Sequence, residues 1–111
     1  MRIVAIDPGY GRMGVAVLEG SIRDPKLLFS TCFTTPASAD FSKRISVLAN
    51  KTVALFKKWK PGVFVLEKLY FTKNQKTAMR VAEIRGMLIA LAGSRGARIA
   101  EYGPQEVKVA V

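Results

Sequence analysis

Residues 3–17 read Ile-Val-Ala-Ile-Asp-Pro-Gly-Tyr-Gly-Arg-Met-Gly-Val-Ala-Val: two apolar runs joined by a glycine turn, with one carboxylate, Asp7, delivered into that turn. Short apolar runs bounded by Gly and Pro read as strands, so the stretch predicts a strand, a tight connection and a second strand. An ionised carboxylate at the end of a buried strand needs a partner, because desolvating an unpaired charge is costly. A divalent cation is the natural one. Residues 63–67, Val-Phe-Val-Leu-Glu, repeat the pattern with Glu67 as their lone acid. Two such acids at one edge of a sheet predict a site for Mg²⁺ or Mn²⁺, which take oxygen ligands. Zinc is disfavoured by the absence of histidine and the single cysteine. Taken singly, Asp7 also reads as an Asp-Pro-Gly turn former, and Glu67 as a salt-bridged strand-end acid.

The chain has 111 residues, half of them apolar, which predicts one domain over residues 1–111 with a real core. No apolar run reaches the ~18 residues of a membrane span. The start lacks the layout of a secretory signal, so the expected location is the cytoplasm. Eighteen Lys and Arg against eight Asp and Glu leave a formal charge of +10. Such a field predicts a polyanionic partner; a solvated basic surface without chemistry is the bland alternative. Cys32 has no cysteine to pair with and reads as a small core residue within the apolar stretch 27–33.

Strands are expected over 2–7, 13–18 and 27–35, and short connections make them an antiparallel meander. From Asp40 as N-cap, Phe41, Ile45, Leu48, Leu55, Phe56 and Trp59 recur at helical spacing until Pro61 and Gly62. Residues 63–66 read as a strand buried on both faces. A second helix is expected over 75–94, with Ala78, Val81, Ala82, Leu88, Ile89 and Ala92 on its apolar side and Gly86 marking a close backbone approach. A strand over 98–102 and a helix opening at Pro104 complete the pattern. Strands followed by alternating helix and strand predict an α/β mixed sheet flanked by helices.

The loop after Glu67 interleaves aromatic, basic and amide side chains: Tyr70, Phe71, Lys73, Asn74 and Lys76. Such a segment can stack on an unpaired base while its lysines bind backbone, or its rings can plug the core. Gly9, Gly11 and Gly14 let the first turn pass close to a phosphate or a neighbouring strand. Arg12 is a phosphate contact or a plain surface arginine.

Four segments carry a resemblance: Ile-Asp-Pro-Gly-Tyr-Gly-Arg-Met-Gly at 6–14, Leu-Glu-Lys-Leu-Tyr-Phe-Thr-Lys-Asn at 66–74, Arg-Gly-Met at 85–87, and Glu-Tyr-Gly-Pro-Gln-Glu-Val-Lys at 101–108. Together they resemble the RuvC family of Holliday-junction endonucleases. The resemblance implies a ribonuclease H-like fold, a homodimer, branch-migration proteins as partners, and paired Mg²⁺-dependent incisions in four-way DNA. It further implies that Asp7 and Glu67 are catalytic metal ligands, that Tyr70 contacts junction bases, and that Lys108 lies near the scissile phosphate.

That family uses four acids, and the last two lie on a C-terminal helix after a glycine-rich loop, without counterparts among these 111 residues. The expectation is therefore a domain truncated at its C-terminus, with that helix missing, and with little or no cleavage by the chain as written. On this reading Asp7→Asn changes no measurable activity. A junction-binding module without efficient cleavage is the alternative. An actin-like or sugar-kinase ATPase shares the Asp-x-Gly turn but needs more chain, and RNA remains open as a substrate.

Overall fold

The computed structural model describes residues 1–21, 23–67 and 74–102. The opening apolar runs form β1 (Arg2–Asp7) and β2 (Arg12–Gly20), antiparallel and in register from Arg2↔Glu19 to Asp7↔Gly14. Strand β3 (Pro25–Thr34) extends the meander on β2, with a register shift between Val17 and Leu18. Helix α1 (Phe41–Trp59) leads to β4 (Val63–Glu67), and α2 (Gln75–Ser94) leads to β5 (Arg98–Tyr102). A helical crossover allows its flanking strands to run parallel. The sheet order is β3-β2-β1-β4-β5, with β1–β4 and β4–β5 parallel. The expected α/β mixed sheet, its meander and both helices are present; the helix expected from Pro104 lies outside the described residues.

Helix α1 stops at Lys60, which turns left-handed (φ 47°) and donates its N–H to the Phe56 carbonyl at 2.8 Å. Pro61 bars continuation, and Lys57 and Lys58 complement the dipole in the last turn. Helix α2 starts at Asn74, whose side chain accepts the Thr77 N–H at 3.1 Å.

Both helices pack on one face of the sheet, where Val4, Ile6, Phe64 and Leu66 meet Leu48 and Phe56 of α1 and Ile84 and Leu88 of α2 in one buried cluster. Among the described residues no helix lies on the opposite face; β4 starts buried on both sides, with Val63 and Phe64, but opens towards its end, where Val65 is half-buried. Cys32 is exposed, not core. Strand β3 is a sheet edge, and its two-residue period turns Phe33 to the cluster and Cys32 away. On α2, Ile84 is buried where Ala82 was expected. A side chain at Gly86 would meet nothing within 4 Å, so no close approach inside the described residues explains that glycine. None of the described helices is long and apolar enough to cross a membrane.

Candidate active site on the open sheet face

Strand period decides what the open face displays. With Asp7 paired to Gly14, Gly14 to Cys32 and Glu67 to Tyr102, and with Ala5 paired to Val65, the same register carries Asp7 and Glu67 into one row across adjacent parallel strands. The next row is Ser30, Ala16, Ala5, Val65 and Ala100. These small side chains leave a trough of about 460 Å³ lined by Ala5, Asp7, Gly14, Ala16, Cys32 and Glu67, among others. The two predicted acids thus share one concavity.

Asp7 is exposed and Glu67 half-buried, and neither is in an ion pair among the described residues. The desolvation argument for a partner fails for Asp7: the end of the strand opens to solvent. What survives is the convergence of two uncompensated carboxylates, a donor set that suits a hard cation retaining several waters. No third His, Cys, Asp or Glu joins them among the described residues.

Each acid's carrier is held by a residue from another part of the chain. Nε of Arg85 on α2 donates to the Glu67 carbonyl at 3.2 Å, and Nη2 of Arg85 reaches the Glu101 carboxylate at 2.5 Å. The Asp7 turn is tied through Thr35, whose N–H donates to the Gly11 carbonyl at 3.1 Å and whose hydroxyl donates to the Tyr10 carbonyl. Gly9 is obligatory, because a Cβ there would collide with the Arg12 carbonyl oxygen.

Arg12 opens β2 as an exposed residue, and the neighbouring Cys32 side chain holds its pKa above the ordinary arginine value. It stands on the acids' face, two residues from Gly14. Lys76 is exposed in the first turn of α2, and Asn74 serves as that helix's cap. Tyr70, Lys73 and Lys108 lie outside the described residues. Two features escaped sequence reading. Cys32 in the trough was signalled by the alternation Phe29-Ser-Thr-Cys-Phe33; the Thr35 tie had no local signal.

The family of the crossover junction endodeoxyribonuclease RuvC matches residues 3–111. A curated relative of that description from Thermomicrobium roseum is 37% identical over 111 residues, which are 100% of this chain and 68% of the relative. T. thermophilus RuvC in complex with Holliday junction substrate superposes with a TM-score of 0.87 at 21% identity, covering 98% of this chain and 68% of that one. The yeast mitochondrial Holliday junction resolvase superposes with a TM-score of 0.70 at 16% identity, covering 97% and 55%. Likeness at these identities establishes the fold, a ribonuclease H-like mixed sheet with flanking helices.

Proposed function

Because the chain belongs to the crossover junction endodeoxyribonuclease RuvC family, we propose that it acts on four-way DNA junctions, with Asp7 and Glu67 as catalytic carboxylates of phosphodiester hydrolysis. The observation that carries this reading is their placement in one row of an open, small-residue sheet face. Asp7 and Glu67 would hold Mg²⁺, with Mn²⁺ as a substitute. When bound, such a cation supplies an activated water and charge neutralisation at the leaving oxygen.

The chain's own residues bind and orient the strand. Arg12, beside the acids, takes a backbone phosphate, and Lys76 with Lys73 extends that contact along the DNA. Tyr70 stacks on a junction base, Asn74 adds a polar contact beyond its capping role, and Lys108 approaches the scissile phosphate. The +10 charge supplies long-range attraction. A homodimer through α2 is supported by that helix's solvent-facing Met79, 65% exposed, and by Gly86 and Gly93, where an added side chain would meet nothing within 4 Å. Family membership supports branch-migration proteins as partners and a cytoplasmic location.

A second reading, junction binding without efficient cutting, is favoured by the cluster of only two acids among the described residues. One experiment separates them: a gel assay of the 111-residue chain on a labelled four-way junction and a matched duplex, with Mg²⁺. Symmetric nicking supports the nuclease reading, a junction-selective shift without nicking supports the binding module, and equal shifts of both DNAs overturn junction selectivity.

A further inference from the structure

Behind the Asp7 turn stands a buried guanidinium with no carboxylate. Arg44, on α1, is 6% exposed and has no acidic partner within 4 Å among the described residues. Its Nε donates to the Thr35 hydroxyl oxygen at 2.9 Å. Thr35 in turn holds the Tyr10 carbonyl through its hydroxyl and the Gly11 carbonyl through its backbone N–H, so both residues preceding Arg12 hang on one residue whose hydroxyl Arg44 orients.

The central carbon of the same guanidinium lies over the Tyr10 ring, 5.0 Å from its centroid, and a Cβ on Gly11 would come within 3.2 Å of its Nη2. Arg80 of α2 also stands against the ring, its guanidinium carbon 5.4 Å from the centroid, and Thr77 and Arg80 hold the phenol pKa below its ordinary value. Tyr10 therefore bridges the Asp7 turn to the helix whose Arg85 holds Glu67.

Stability alone does not call for this arrangement. Buried charges are commonly replaced by apolar groups at no loss, whereas only the planar arginine fork can bond along its edge while stacking on its face. We propose that Arg44 is a positioning residue: through Thr35 and Tyr10 it fixes the turn from Asp7 to Arg12 against α2 and so keeps Asp7 in row with Glu67. The inference deepens the reading of those acids as a metal site and rests on it.

The test compares Arg44→Met, Arg44→Lys and the shape-preserving Thr35→Val with the parent chain, by amide hydrogen exchange and by Mn²⁺ titration. Losing a hydrogen bond to a charged group corresponds to about tenfold or more, so the amide at position 35 is expected to lose at least about tenfold in protection, relative to its intrinsic exchange rate, in all three, with the Val15 amide unchanged. Mn²⁺ affinity falls by a similar factor, and lysine fails to rescue because it lacks the fork.

Unchanged exchange at Thr35, or acceleration spread evenly over the sheet, overturns the proposal. So does a selectively loosened turn with parental Mn²⁺ affinity. If Arg44→Met does not fold, Thr35→Val decides by the same readouts. A turn that loosens selectively in a protein whose parent binds no Mn²⁺ leaves the tie standing and removes the metal reading instead.

Discussion

The two faces of one sheet are built from alternate residues of the same strands, yet they are different materials. On the helical side Val4, Ile6, Phe64 and Leu66 are buried in a single cluster with α1 and α2. On the other side the same two strands present Ala5, Asp7, Val65 and Glu67 around a trough. Large branched side chains on the first face exclude water and carry stability; alanines and glycine on the second keep the surface low enough for two carboxylates to converge in reach of solvent. A single substitution should therefore cost folding on one face and ligand binding on the other.

The largest effect is expected on the covered face. Phe64→Ala should lose about 3–5 kcal/mol, a large share of the roughly 5–15 kcal/mol of a typical domain, read as a drop in urea midpoint. On the open face, Asp7→Asn should move stability by less than about 0.5 kcal/mol. It should weaken Mn²⁺ binding by on the order of 100-fold, since even outer-shell losses cost 10–100-fold, as calorimetric titration will measure. Equal and opposite results would dissolve the division between the faces.

Cys32 sharpens the same contrast. As an open-face residue it should react with an aromatic disulfide reagent in the native state, at a rate that denaturant raises only modestly; a core thiol would stay silent until unfolding. The smallest effect lies at the far end of the sheet, where hydrogen bonding to the N-terminal ammonium, aided by Arg2, holds the Glu19 carboxyl below its usual range. A depressed carboxyl stabilises above its unfolded pKa of about 4.3 and loses that contribution as pH falls through its folded value. Glu19→Gln should thus melt slightly below the parent at pH 7, with the gap closing as the solution is acidified.

The strands and helices were legible because their signals are local. Gly-Pro punctuation bounds the apolar runs, Pro61 ends α1, and α2 occupies the expected residues 75–94. The acids were legible because each is the lone acid closing an apolar strand. Ile84 and the open Gly86 were not, since helical period names a face only to within a residue or two and cannot say what lies against it. Cys32 was misread because its apolar flanks at 27–29 and 33 suggested core, whereas Ser30 and Cys32 share the outward parity of an edge strand.

By itself the sequence determined the order of elements, the charge, and the two carboxylates with the segments that resemble RuvC, because these depend on residue types and short spacings. Tertiary structure alone decided that one sheet face stays open among the described residues, that Asp7 and Glu67 share a row on it, and that Arg44 reaches the Asp7 turn through Thr35. Those are contacts between residues distant in the chain, made only when strand register and helix packing bring separate segments together.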